Sequence, residues 1–457
     1  MRLTTILIFL FLTSKCLGQQ IFTEDEFLSV VKKFHPLAKS AGLNVRIAKA
    51  ELLASRAAFD PVVSSGNTGK NFEGINYYEQ STAELIIPTW YGIDVFAGTE
   101  TIKGSRINPE ETTGSISYIG FSIPLVQHLV LDKRRAALQQ AKIMVNASDA
   151  ERRTVLNNLL HDAQHTYWNW WEQHHKILLI DSSLANAERR LQMIRTAVKL
   201  GDRAAIDTIE AITQVETFAA ARVEALIKLQ KSQLELSAYL WKENAEAYEL
   251  PSVVIPQKET TIKAMLLEEL LNQSPNHPEL QQYNFKLAAL NIERRLKFQY
   301  LLPEVDLKYN QLQKGSNIFS PAKGNWFENN YVYTIKVSVP LRLSKGRGEY
   351  RKAKLKIEQT KLDQLNKQVA ISVKTKQYYT EWQQTNIQVN IQRSLVNNFT
   401  TLQRGEETRF FNGESSLFLI NTREQKALDA KHKLVETQSK NRKALADLRW
   451  AAALNID

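Results

Sequence analysis

The chain has 457 residues, 43% of them hydrophobic and 23% charged, a composition that excludes bulk disorder. Cys16 is its single cysteine, which excludes a disulfide framework and any cysteine-based zinc site. The formal net charge is +11 and the mean hydropathy is −0.33, so a polytopic helical membrane protein is excluded as well.

Residues 1–18 read as a secretory signal peptide. Arg2 forms a short basic region, Leu3 to Leu12 an apolar core, and Cys16 and Gly18 supply small residues before a cleavage point at Gln19. Lys15 stands where a lipoprotein signal needs a small residue, which argues against lipidation at Cys16. Cleavage removes Arg2 and Lys15 and leaves a mature chain of about +9 without cysteine. No later stretch approaches 18 uninterrupted apolar residues, so any membrane crossing must use strands.

Residues 19–250 read as a first unit. Two-faced strand segments lie within 59–124, at 61–72, 81–88, 91–100 and 114–123, with Asn76-Tyr77-Tyr78 and Asn108-Pro109-Glu110 in loops. Residues 125–250 then contain no proline and one glycine, Gly201, which predicts long helices over about 127–200 and 204–245 joined by a turn. Leu156, Leu160, Ala163, Tyr167 and Trp170 step by fours and threes, and Leu184, Ala187, Leu191, Ile194 and Val198 repeat the pattern. These are seams for helix-on-helix packing, continued through Ile212, Val215, Ala219, Leu236 and Leu240. The first of these helices would be roughly 110 Å long, which suggests a coiled-coil rod or a tube.

Residues 251–457 repeat the order. Strands lie within 301–341, where Tyr331, Tyr333, Ile335, Val337 and Val339 share one face. Long helices follow over about 347–410 and 415–454. His35-Pro36 corresponds to His277-Pro278, Phe59-Asp60-Pro61 to Leu301-Leu302-Pro303, Ser122-Ile123-Pro124-Leu125 to Ser338-Val339-Pro340-Leu341, and Gly201 to Gly413. The chain is therefore two copies of one strand and long-helix unit.

The signal peptide, the duplicated order and these motifs resemble the TolC-like outer membrane efflux proteins. The residues that carry the resemblance are Asn276-His277-Pro278-Glu279-Leu280, Leu301-Leu302-Pro303, Ser338-Val339-Pro340-Leu341 and Phe411-Asn412-Gly413-Glu414-Ser415-Ser416-Leu417. It implies a mainly α fold with a membrane β-barrel part. Strands of a homotrimer would close one barrel in outer-membrane lipid, and the helices would continue it as a tunnel into the periplasm. It further implies passive export of small molecules, with a periplasmic adaptor and an inner-membrane transporter as partners. Strands of nine to eleven residues fit that reading, because only closed barrels satisfy strand backbones in lipid. The competing reading is an exported coiled-coil scaffold or adaptor without a pore. Aromatic residues at strand ends, Tyr77, Tyr78, Trp90, Tyr91, Trp326, Tyr331 and Tyr333, favour the barrel.

The resemblance places the helical turns at the pore entrance, with Asp207 and Glu210 in the first. A tyrosine and an arginine expected in the second turn are here Phe410 and Ser415, with Arg409 close by. The plainer reading of both acids is that a helix N-terminus favours them. His161 and His165 have a spacing that can bind a metal, yet HDAQH lacks the glutamate of a zinc protease, and a packed, hydrogen-bonded helix surface is favoured. The aromatic cluster around Trp168, Trp170 and Trp171 reads as interhelical packing. Residues 342–376 carry eleven Lys and Arg, read as a basic collar, a basic lumen wall or a solvated face; nucleic acid is a poor partner for an exported chain. No enzyme signature, cofactor or metal is predicted.

Overall fold

The computed structural model describes residues 21–108, 110–251, 253–259 and 265–456. The expected signal peptide, 1–18, and Pro109 of the expected loop lie outside them. In chain order the elements are β1 (Ile21–Phe22), α1 (Glu24–Phe34), α2 (Pro36–Arg56), β2 (Val62–Phe72), β3 (Ile75–Pro88), β4 (Asp94–Lys103), β5 (Gly114–Pro124), α3 (Lys133–Lys199), α4 (Ala205–Ser237), β6 (Ile255–Pro256), α5 (Leu267–Gln273), α6 (Pro278–Gln299), β7 (Glu304–Lys314), β8 (Tyr331–Ser338), α7 (Ser344–Phe411) and α8 (Leu417–Ala451). Among the described residues no helix is long and apolar enough to cross a membrane.

The chain divides into two compact units. One takes its described residues from Met1–Lys39, Val155–Asn272 and Val373–Asp457, the other from Ser40–Thr154 and Gln273–Ser372.

The second of these holds the sheet. All six strands pair antiparallel, in the order β2-β3-β4-β5-β7-β8. β2 and β8 are its edges, and every residue of both is exposed. Two expectations are corrected here. Asn76, Tyr77 and Tyr78 are not in a loop but on β3, because the chain reverses at Glu73-Gly74, both with positive φ, 51° and 77°. A two-residue turn of that hand matches the twist of the strands and leaves both arms long. The third strand starts at Asp94 rather than 91, since Gly92 turns the chain with a left-handed φ of 84°. Beside it, Asp132 caps α3 by accepting from the Arg135 N–H at 2.7 Å, and Arg134 reaches Asp94 at 2.9 Å. Thus the basic start of this helix is tied to the strand region. On α6, His277 caps the first turn through Nδ1, 3.2 Å from the Glu279 N–H, and Glu279 pairs with Lys367 at 2.7 Å.

The other unit is helical and is built around aromatic rings. Tyr167 and Trp170 have no exposed surface, and Trp168 has 1%. They pack with Phe27, Val31, Leu156, Leu160, Ala163, Leu236 and Leu240. Three of the rings have polar partners: Tyr167 donates to the Phe22 carbonyl at 2.7 Å, Trp168 to Glu24 at 3.2 Å and Trp171 to the Gln257 carbonyl at 3.0 Å. The two carbonyl bonds hold the short parallel pair β1–β6, Ile21 opposite Ile255, against the cluster. The aromatic run is interhelical packing, as its spacing predicts. The helix expected over 204–245 ends earlier, at Ser237. Leu240 is still 3% exposed in the same cluster, but the chain reaches it through a turn in which the Leu240 N–H donates to the Ser237 carbonyl at 3.0 Å. Apolar spacing reports burial, and a tight turn can bury a leucine as well as a helix does.

Several imidazoles of this unit are held neutral. Burial, and then the neighbouring His175, pull the His174 ring down from 6.5 to about 4. Burial also lowers His175 and His432. A depressed folded-state value means that the unfolded chain binds more protons below about 6.5, so stability is full above that pH and falls towards 4. Thermal unfolding followed by helical circular dichroism should shift to lower temperature between pH 6.5 and 4, and His174→Gln should blunt the shift. A melting temperature that stays flat in this window rules the account out.

Candidate functional site

Two helical turns of the helical unit share one construction. α3 ends at Lys199 and Gly201 follows with φ 84°; α7 ends at Phe411 and Gly413 follows with φ 80°. Gly201 donates to the Val198 carbonyl and Asp202 to that of Ala197, at 3.1 and 2.9 Å. Gly413 donates to Phe410 and Glu414 to Arg409, at 3.0 and 2.8 Å. Each is the paired closure of a helix C-terminus that needs a left-handed residue, and glycine adopts it without Cβ strain. Ser416 then caps α8, accepting from the Leu419 N–H.

Beneath the turns, Leu191, Ile194, Ala211, Phe410, Leu417 and Ile420 form a buried cluster. Phe410 is 7% exposed, whereas Phe411 and Phe418 are 68% and 66% exposed. The Arg203 guanidinium lies 4.2 Å from the Phe410 ring centroid. Beside the cluster runs a polar layer. Arg190 Nη1 donates to Asn421 Oδ1 at 2.9 Å and lies 2.9 Å from Glu424 Oε2, an ion pair without hydrogen-bond alignment. Asn421 Nδ2 donates to Glu210 at 3.1 Å. Glu406, also buried, accepts from Ser415 Oγ at 2.6 Å and has Arg409 and Arg423 at 3.8 Å. Between α4 and α8, Ile206, Ile209, Phe418 and Asn421 line an open groove.

The family model for outer membrane efflux proteins matches residues 95–240. The fold is that of the Neisseria gonorrhoeae MtrE outer membrane channel, solved in an open state, with 15% identity over 94% of this chain and 88% of that one at a TM-score of 0.65. The Campylobacter jejuni CmeC outer membrane channel gives 13% identity over 94% and 85% at 0.64. A Pseudomonas aeruginosa membrane protein gives 13% over 94% and 93% at 0.66. No curated protein sequence matches the chain. The chain resembles the TolC-like outer membrane efflux proteins.

The entrance residues that this resemblance names are only partly brought together. Asp207 meets no residue of the second turn; its carboxylate is 4.0 Å from Arg203 in the first turn, just before α4. Glu210 does bridge to α8, through Asn421. Arg409 stays exposed and pairs with Glu406 on its own helix. Phe410 is the anchor of the apolar cluster, and Ser415 is bound to Glu406 rather than facing Asp207. Sequence reasoning missed Arg190, Arg203, Glu406 and Glu424. A signal existed for one of them: Glu424 stands four residues after Ile420 and three before Ala427, so a charge interrupts an apolar stripe.

The two kinds of ion pair should differ in worth. Arg190→Ala leaves the Glu424 carboxylate, 2% exposed, without its cation and should destabilise the unit by about 3–5 kcal/mol. Asp207→Asn breaks a long pair and should change stability by under about 1 kcal/mol. Denaturant unfolding of both variants measures this, and equal effects would refute the ranking.

Proposed function

We propose that this chain is the outer-membrane duct of a tripartite efflux or secretion system, a homotrimer that passes small molecules passively from the periplasm to the outside. The observation that carries the reading is a six-stranded antiparallel sheet with two unpaired edges, β2 and β8. Lipid offers no hydrogen bonds, so such edges must pair or the sheet cannot cross. An even number of antiparallel strands leaves β8 of one copy antiparallel to β2 of the next, which permits closure. Three copies give about eighteen strands, within the range of bacterial outer-membrane barrels. Trp326, Tyr331 and Tyr333 gather near one end of β8, where an aromatic girdle belongs.

On this reading the chain is two copies of one unit, and the long helices form the periplasmic tunnel with the Gly201 and Gly413 turns at its entrance. The groove between α4 and α8, with Ile206, Ile209 and Phe418 exposed, offers an apolar surface to the periplasmic adaptor, which links the duct to an inner-membrane transporter. A duct needs no catalytic residue. Closure rests on the packing of Phe410, which salt does not screen, while Asp207 and Glu210, repeated in three copies, form a negative ring that favours cations.

Chemical crosslinking in intact membranes should yield species up to three chains and no further, and the purified protein should conduct in planar bilayers. A mature chain that is soluble without detergent would instead support the pore-free scaffold. In single-channel recordings, Asp207→Asn combined with Glu210→Gln should lower cation preference with little change in closed-state leak, whereas Phe410→Ala should raise that leak. The opposite pattern would mean an electrostatic latch.

A further inference from the structure

The spacing of His161 and His165 acquires a third partner in the fold. Both sit on α3 one turn apart, so both rings leave the same face. Opposite them, near the end of α8, stands Asp447. His161 Nε2 lies 2.6 Å and His165 Nε2 2.9 Å from the same oxygen, Asp447 Oδ1. The three donor atoms lie within 4.8 Å of one another.

We propose that His161, His165 and Asp447 form a binding site for a divalent transition-metal ion of the zinc and copper class. Two imidazole nitrogens and one carboxylate oxygen are a donor set such ions take, with a fourth position left for water. Ligands at about 2.0–2.2 Å around a tetrahedral ion are separated by about 3.3 Å, so the two nitrogen–oxygen distances need to open by less than about 1 Å and no donor pair needs to close by more than about 1.5 Å. The surroundings are those of a ligand set. His161 Nδ1 is 2.9 Å from Asp162 Oδ1, the carboxylate behind a metal-bound imidazole that fixes its tautomer and strengthens its lone pair. Without an ion, His161 can serve both carboxylates only by carrying a proton on each nitrogen. With one, Nε2 binds metal while Nδ1–H donates to Asp162, and the two carboxylates balance a dipositive charge. Trp450 holds the ring in place from the side, 4.9 Å between centroids, its own N–H bound to Asn158 at 2.7 Å. Side-chain exposures of 19%, 35% and 17% for His161, His165 and Asp447 leave the site reachable from solvent.

This site lies on different residues from the entrance turns, so it stands or falls independently of the duct reading. Isothermal titration of the tag-free, metal-stripped mature protein in detergent with Zn²⁺ should show one saturable ion per chain. His165→Gln and Asp447→Asn should each weaken binding at least tenfold, and Asp162→Asn by about tenfold to a hundredfold. His174→Gln, away from the site, should leave it unchanged. The Cu²⁺-loaded protein should show hyperfine coupling to two nitrogens by electron paramagnetic resonance, reduced to one in His165→Gln. Absence of saturable Zn²⁺ binding overturns the proposal, as does binding that survives His165→Gln or Asp447→Asn. His165 is the most exposed of the three, so its replacement leaves the fold intact and keeps the test decisive.

Discussion

A helix of 67 residues persists only where something covers its apolar stripe. Isolated helices in water are marginal, and propensity alone does not sustain such a length. α3 meets this requirement along its course, but with different partners. In the sheet-bearing unit Ala136 is buried with Leu131 and Ile292. In the helical unit Tyr167, Trp168 and Trp170 are buried against α1 and the end of α4. Further on, Ala187 packs with Phe218 and Leu428, and Leu191 and Ile194 with Phe410 and Leu417. The seam of threes and fours is thus the constraint from which the other helices take their places.

The strands face a different constraint. Every interior strand of the sheet exchanges its backbone bonds with two neighbours, while β2 and β8 have one each. Their side chains are exposed throughout and include Val62, Val63, Ile335 and Val337. Unpaired polar backbone beside apolar side chains is poorly suited to water, where it invites aggregation, and unsuited to lipid, where it is unsatisfied. On the proposed reading, pairing between copies would resolve both problems at once. A helical seam, a sheet with open edges and two glycine turns are therefore parts of one reading rather than separate features.

Around the turns, a residue's address along the chain is a poor guide to its partners. Asp207 occupies the position that the resemblance singles out, yet among the described residues its ion-pair partner is Arg203 in the same turn, just before α4. The buried polar layer is built instead from Arg190, Asn421 and Glu424, which lie on facing helices and were unremarkable in a chain rich in surface charge. Phe410 stands where the resemblance leads one to expect tyrosine; lacking a hydroxyl, it packs into the apolar cluster and takes a guanidinium on its face.

What the sequence determined by itself follows from periodicity and backbone chemistry, which are local. The long helices, their reversal at Gly201 and Gly413, the two-faced strands and the aromatic packing stripe were all legible, because each depends on residues a few positions apart. The tight reversal at Glu73-Gly74 was not, since glutamate seldom takes a positive φ and carried no signal. The end of α4 at Ser237 was not, since neither glycine nor proline marks it. Only the tertiary structure decided how many strands join one sheet and which charges are buried. It alone brought Asp447, 282 residues from His165, to the same oxygen-to-nitrogen distance as a hydrogen bond. Such meetings depend on how helices pack against one another, and the spacing of residues along a single helix holds no information about what lies across from it.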